Sequence, residues 1–291
     1  MKIILFLMNE KGKKVLEAIC TRYAPAMVEY VVGSKDQNVQ NDYYEDIVSI
    51  CKQNNIVLFD RNEYDENNKT NLYKFAIGWR WLIKDSENLI VLHDSILPKY
   101  RGFAPLVNAL INQENEVGVS AIFANSEFDK GDILGQKKIT ITYPLTIGEA
   151  IAEVSKLYQQ LVIEVIDNID NHTFVPLVQT ESEASYSIWR DEEDYHIEWN
   201  NHASDIIRFI NAVGFPYSGA FSIIDNKKVR ILEVSEFGDV VIENRDVGKM
   251  IFIDQGSPVV ICKNGLIKVE KMVSEEGDNL LPMTKYRVRF K

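Results

Sequence analysis

"LIVLHDSILPKYRG", residues 89–102, decides how the chain is read. The apolar run Leu89 to Leu92 has strand character and stops at His93, and Asp94, Ser95, Pro98, Arg101 and Gly102 follow at once. In open α/β sheets ligands bind beyond the carboxyl ends of strands, so a histidine at that point is placed for chemistry near neutral pH. The competing reading is a histidine that merely ends a strand. Three features favour the first. Pro98 and Gly102 stiffen and sharpen the loop, Arg101 offers an anion clamp, and "FDKGDIL" (128–134) places Asp129 close to a glycine at the end of another strand. A carboxylate that fixes a histidine's tautomer and steadies its imidazolium is the usual second member of a general-base pair. Asp132 competes for that role, and either acid also suits a plain turn beside Gly131.

Outward from this stretch, Lys2 to Met8 reads as a fully buried first strand and "KGKKVLEAICTRY" (11–23) as the helix after it. "MVEYVVGS" (27–34) and "NIVLFD" (55–60) are further strands, with "YYEDIVSICKQNN" (43–55) as the helix between them. "KFAIGW" (74–79), "LIVLH" (89–93) and "GVSAIFA" (118–124) add strands, a helix falls near Leu106 to Gln113, and a long one runs from Thr146 to about Ile166. Alternation of this kind predicts an α/β fold, a Rossmann-like, mostly parallel sheet covered on both faces. A dinucleotide-binding version would place G-x-G-x-x-G after the first strand, where this chain has "MNEKGKK" (8–14). The topology is therefore expected without that nucleotide chemistry.

Between about 168 and 187 the apolar pattern thins, which predicts a first domain over 1–180 and a second over 187–291. The second has a helix in "HASDIIRFINAV" (202–213), a turn in "GFPYSGAF" (214–221), and strands in "KVRILEV" (228–234), "DVVIE" (239–243), "KMIFID" (249–254), "PVVICK" (258–263) and "LIKVEKM" (266–272). A small β-rich, barrel-like domain is expected there.

Hydrophobic residues at 46% and charged residues at 26% of 291 are ordinary for a globular protein. The formal net charge is −11 and no Lys/Arg-rich tract occurs, which argues against a nucleic-acid partner. Three scattered cysteines (Cys20, Cys51, Cys262) fit a reducing compartment and supply no metal-ligand spacing, so no metal is expected. The apolar run at the N-terminus is short for a signal or a membrane span, and no membrane association is expected. A cytoplasmic location is the default expectation, and a homodimer is left open.

"HDSILPKYRG" (93–102) followed by "GVSAIFANSEFDKGDIL" (118–134) resembles the folate-dependent formyltransferase family. The similarity is specific in H-x-S-x-L-P-x-x-R-G and in the D-x-G after it, and "IRFINAVGFPYSGAF" (207–221) is similar to the start of that family's C-terminal domain. Members include methionyl-tRNA formyltransferase and enzymes that N-formylate amino sugars attached to nucleotides. The resemblance implies transfer of formyl from 10-formyltetrahydrofolate, as cosubstrate, to an amine. His93 would take the amine proton, and Asp129 would orient the imidazole. The pterin would lie against the "IGWRWLI" loop (77–83), implying Gly78, Trp79, Trp81 and Leu82, and against Ser95, Leu97 and the segment holding Asn125. For the two tryptophans, core packing is the plain alternative.

Val91 stands where the family has an asparagine whose amide stabilises the oxyanion of the tetrahedral intermediate. Loss of such a donor typically costs about 10²–10³ in rate. Asn88 lies on the opposite strand face. Asn125 or a protonated His93 are the remaining candidate donors. For the acceptor, "VVGSKDQNVQNDYYEDIVS" (31–49) is acidic and short of arginine, where a tRNA-binding member needs basic contacts. A nucleotide-linked amino sugar is the expected acceptor, with Lys99 and Arg101 as candidate contacts; hydroxylamine-bearing siderophore precursors and methionyl-tRNA are the other acceptors weighed. From another class, Val91 also suits a module that binds folate or a sugar nucleotide without turnover.

Overall fold

The computed structural model describes residues 1–65 and 70–291. Contacts divide the chain into two units. The first comprises residues 1–106, 115–141 and 149–189, the second 107–114, 142–148 and 190–291.

The first unit is built on a seven-stranded sheet: β1 (Ile3–Leu7), β2 (Val28–Gly33), β3 (Leu58–Asp60), β4 (Tyr73–Ile77), β5 (Leu89–His93), β7 (Glu116–Phe123) and β8 (Ile133–Thr140). The order is β3-β2-β1-β4-β5-β7-β8, and a separate two-residue strand, β6 (Arg101–Gly102), pairs with β9 (Tyr186–Ser187). β1 to β5 pair in parallel, and β7 and β8 add on antiparallel. The mostly parallel, Rossmann-like sheet expected from the alternating pattern is present. All five side chains of β1 are buried, as a central strand covered on both faces requires. Helices α1 (Asn9–Arg22), α2 (Tyr44–Gln53) and α4 (Ile147–Asp170) accompany it. In α4 the buried positions Ala150, Val154, Leu157, Tyr158, Leu161, Val165 and Ile169 recur at three- and four-residue spacing, which is the stripe a helix lays on a sheet.

β8 is the one strand of this sheet that the apolar pattern does not announce. "ILGQKKIT" pairs with β7 along its length, yet beyond Leu134 it alternates exposed and half-buried residues, so lysines and a glutamine fill the open side. It is an edge strand, and charged edges resist pairing with other chains.

The second unit contains α3 (Pro105–Ile111) for most of its length, α5 (Ala203–Ala212), and a five-stranded antiparallel sheet. The sheet runs β10 (Ala220–Ile224), β11 (Lys227–Phe237), β14 (Leu266–Ser274), β13 (Ser257–Ile261), β12 (Met250–Asp254). Two expectations fail locally. "GFPYSGAF" is a turn only as far as Gly219, after which Ala220 opens β10. "DVVIE" forms no strand: Val241 is 93% exposed and finds no neighbouring chain, while Asp239 turns back to Arg245 at 2.9 Å. No helix among the described residues is long and apolar enough to cross a membrane.

Candidate active site

β5 delivers His93 to the carboxyl edge of the first unit's sheet, where the side chain is 8% exposed. Its Nε2 lies 2.8 Å from the Tyr100 carbonyl oxygen and its Nδ1 3.4 Å from Asp129 Oδ1. Both partners are acceptors. A neutral imidazole carries a single N–H and can satisfy only one of them, whereas an imidazolium satisfies both. To accept a proton the ring must therefore release one partner. Keeping Nδ1–H on the carboxylate and freeing Nε2 from a loop carbonyl is the simpler exchange, and it leaves Asp129 as the orienting acid. Asp132, the rival acid, is exposed; the carboxylate that reaches the ring is Asp129.

Asp129 is held unusually firmly for a loop residue. It adopts φ 56°, and its Oδ2 accepts the Gly102 N–H at 2.8 Å. Its backbone carbonyl accepts Gln179 Nε2 at 2.7 Å, and the same amide reaches the Gly131 carbonyl at 2.8 Å. Gly131 has no alternative: a Cβ there would sit 1.6 Å from the Phe123 carbonyl oxygen. Gln179 was not anticipated. It lies in a polar irregular stretch, and nothing in its neighbours marks it.

Arg101 requires a correction. It is not a free anion clamp, because the side chain is fully buried. Nε and Nη2 donate to Gln179 Oε1 at 3.0 and 2.9 Å, and Nη1 meets Glu181 at 2.9 Å and the Tyr186 hydroxyl at 3.3 Å. Its five-donor fork is spent on fixing Gln179, and through it the Asp129 loop. Lys99 is exposed.

Ser95 and Leu97 build the loop. Both are buried, and Ser95 Oγ donates to the Lys99 carbonyl at 2.7 Å. Leu97 N–H donates to Ser120 Oγ at 3.0 Å, and its carbonyl accepts Gln136 Nε2 at 2.9 Å. Ser120 Oγ in turn donates to the Ser95 carbonyl at 2.7 Å. This buried network sets the path of the chain from His93 to Pro98.

Beside it lies a buried ionic cluster. Asp94 pairs with Lys11 of α1 and accepts the Tyr158 hydroxyl of α4. Burial alone would push the Asp94 carboxyl up, but Lys11 and the Tyr158 hydroxyl outweigh it and hold it below the ordinary carboxylate range. Burial, reinforced by Asp94, pushes the Tyr158 phenol well above its usual value.

The loop after β4 starts at Gly78, with φ 63° and so little room that a Cβ would come within 2.9 Å of the Met8 carbonyl oxygen. Trp79 packs edge-on against Phe6 and Trp81, at centroid distances of 5.3 and 5.2 Å, and its buried Nε1 has no hydrogen-bond partner. An unpaired buried indole donor is costly to hide. Leu82 is 71% exposed. Asn125 is exposed, with Oδ1 accepting the Glu127 N–H at 2.8 Å.

Val91 pairs across the sheet with Ala76 and Ile122 and packs with Leu97, Ile122 and Ile133 on one side and with the Phe6, Ala76 and Leu89 group on the other. Alternation along β5 puts it on the same face as His93. It contributes no hydrogen-bond donor. Asn88 is excluded for a further reason than its face: it precedes β5, so it sits five residues and roughly 17 Å from His93 along the strand. Its amide donates to the Asn71 carbonyl at 3.1 Å.

The pattern of the family described as formyl transferase matches residues 1–166, and that described as formyl transferase, C-terminal domain, matches residues 190–286. The chain belongs to the formyl transferase family. This family member is 34% identical over 190 residues to a methionyl-tRNA formyltransferase of Ehrlichia canis, a match covering 65% of this chain and 59% of that protein. It is 28% identical over 185 residues to one from Natranaerobius thermophilus, covering 63% and 59%. These matches thus span about three-fifths of the relatives' length. Among solved structures, it shares its fold with WlaRD, a sugar 3N-formyl transferase crystallised in the presence of dTDP and 5-N-formyl-THF, with TM-score 0.70, 20% identity and coverage of 96% and 98%. An N-formyltransferase from Helicobacter canadensis, in complex with folinic acid and dTDP-3-aminofucose, gives TM-score 0.71, 18% identity and coverage of 92% and 98%.

Proposed function

We propose that the protein transfers a formyl group from 10-formyltetrahydrofolate to the amine of a nucleotide-linked amino sugar. The observation that carries this is the His93–Asp129 pair at the carboxyl end of β5, with Nδ1 facing the carboxylate at 3.4 Å, inside a chain of the formyl transferase family. On this reading the acceptor amine displaces the Tyr100 carbonyl from Nε2. It attacks the formyl carbon of the cosubstrate and passes a proton to Nε2; as the tetrahedral intermediate collapses the bond from that carbon to N10 breaks, N10 takes the proton back from the imidazolium, and tetrahydrofolate leaves. Asp129 keeps the ring oriented and balances the imidazolium as it forms. The loop at Gly78, Trp79 and Leu82 is the proposed edge of the pterin site, and the unpaired Trp79 Nε1 is the donor it offers.

The sugar-nucleotide acceptor is supported by the net charge of −11 and by the fold shared with WlaRD and the Helicobacter canadensis enzyme over nearly their whole length. Methionyl-tRNA is the second reading, favoured by the curated relatives at 34% identity. A turnover assay with 10-formyltetrahydrofolate, a panel of amino-sugar nucleotides and charged initiator tRNA decides between them. Product with a sugar nucleotide and none with tRNA is expected. Formylated tRNA as the sole product would reverse the assignment. Binding of folate without product from any acceptor would leave a non-catalytic binding module.

A further inference from the structure

At the carboxyl ends of β2 and β3, in the first unit, lies a cavity of about 410 Å³ lined by Lys35, Gln37, Asn38, Arg61, Asn62 and Trp81 among others. Arg61 is the informative residue. Its guanidinium lies 4.2 Å over the Trp81 ring, its Nε is buried without a hydrogen-bond partner, and no carboxylate among the described residues pairs with it. Asp60, the acid that also lines the cavity, is already occupied by the Tyr44 hydroxyl at 2.9 Å and by the Asn62 backbone and side-chain amides at 2.9 Å. Asp36, the buried acid nearby in sequence, is committed to Arg80 at 2.8 Å and Asn9 at 3.1 Å. Arg190 and Arg287 also have no acid partner among the described residues, but Arg61 is the one of the three that sits over an indole in the wall of this cavity. Contact with the ring restrains the guanidinium before any ligand arrives, and a guanidinium fork suits two oxygens of a phosphate.

Position adds the second argument. The sheet order is β3-β2-β1-β4-β5, so β2 and β3 stand three and four strands from His93. At the usual strand spacing that is roughly 14 to 19 Å along the same edge. A free amino sugar with its amine at His93 cannot reach the cavity, whereas a sugar carrying a nucleoside diphosphate can. Between them, after β1, Asn9 Oδ1 is buried without a hydrogen-bond partner.

We infer that this cavity receives the nucleoside diphosphate end of the acceptor, with Arg61 as the phosphate fork, Trp81 as its platform, and the Gln37 and Asn38 amides facing the nucleoside. This rests on the acceptor being nucleotide-linked and moves Trp81 from the expected pterin contacts to the acceptor side.

The test is calorimetric titration with dTDP and with UDP, in the absence of folate and of any amine. Native protein and His93→Ala should bind at least one of the two equally well. Arg61→Ala should weaken that binding at least tenfold. Arg61→Lys, which keeps the charge and loses the fork, should fall between. Asn38→Ala, an exposed change that spares the fold, should weaken it several-fold, and thymidine or uridine without phosphate should not bind measurably. Absence of diphosphate binding to native protein at millimolar concentration overturns the inference, as does Arg61→Ala binding like native. Diphosphate binding that depends on Arg61, without turnover of any amine, would sink formyl transfer and leave this site standing. Turnover of an amino-sugar nucleotide with unchanged KM in Arg61→Ala would do the reverse.

Discussion

Gln179 joins Arg101 to Asp129: its Oε1 takes two guanidinium N–H groups at 3.0 and 2.9 Å while its Nε2 donates to the Asp129 carbonyl at 2.7 Å. The carboxylate that faces His93 is thus positioned by a buried arginine. Gln179→Ala should lower turnover about tenfold or more while leaving Asp129 chemically intact, since a misplaced orienting group costs rate steeply. Arg101→Ala strands Gln179 and should destabilise the fold by about 3 kcal/mol, the scale for breaking a buried charged network. Denaturant melts and kcat on the two variants check both statements; native kcat in Gln179→Ala would remove the coupling.

His93→Ala and Asp129→Asn should each abolish most turnover with little change in folate affinity. Because both act through one proton transfer, the double variant should be no more than slightly worse than the poorer single one. Additive losses in single-turnover rates would mean the two residues serve separate steps.

These two predictions differ in how far the sequence foretold them. The pair itself was legible: an apolar run that must be a buried strand ended on His93, and a glycine-bounded turn carried Asp129. Arg101 was visible but misread, because a charged residue after a sharp loop looks solvent-facing until its partners are known. Those partners, Gln179, Glu181 and Tyr186, come from a polar segment some eighty residues on, and long-range side-chain bonds leave no periodic trace. β8 escaped for a related reason, since only pairing with β7 makes a lysine-rich segment a strand. "DVVIE" failed in the opposite sense: β-branched residues favour a strand only where a neighbouring strand exists to bury them.

Asp94 offers a prediction in pH. Its folded carboxyl is held below the ordinary value of 3.8, so the stabilisation it provides is complete above that value and is lost as pH falls through the folded pKa. Asp94→Asn should therefore cost stability at pH 7, about 2–3 kcal/mol once the partial exposure of the Lys11 pair is allowed for. The gap to native should close as pH drops below about 4. Melting both proteins from pH 7 to pH 3 checks the sign; a gap that widens on acidification would contradict the cluster's role.

With a net charge of −11 and an acidic loop after β2, the protein should show no measurable affinity for initiator tRNA at physiological salt. A mobility-shift assay across a salt series is the direct check. Tight binding that weakens steeply with salt would point to a basic patch assembled from distant residues and restore the tRNA reading.

Val91 carries the sharpest test. It lies on the face of β5 that also presents His93, between two apolar groups centred on Phe6 and on Leu97 and Ile122. Val91→Asn places an amide there without changing volume greatly, and Asn125 or a protonated His93 are the candidates to have served in its stead. If the native site lacks one oxyanion donor, turnover should rise by about 10- to 10³-fold, the range a single preorganised donor supplies. The same change sets an amide among Leu97, Ile122 and Ile133, so stability should fall by about 1–3 kcal/mol. A stability loss with no gain in rate would show that the donor role is already filled. In that case Asn125→Ala should be damaging, because it removes the amide that would turn inward once its Oδ1 releases the Glu127 N–H. Native rates in both variants would remove the oxyanion argument, and an absence of turnover in every background would leave the site as one that binds and does not react.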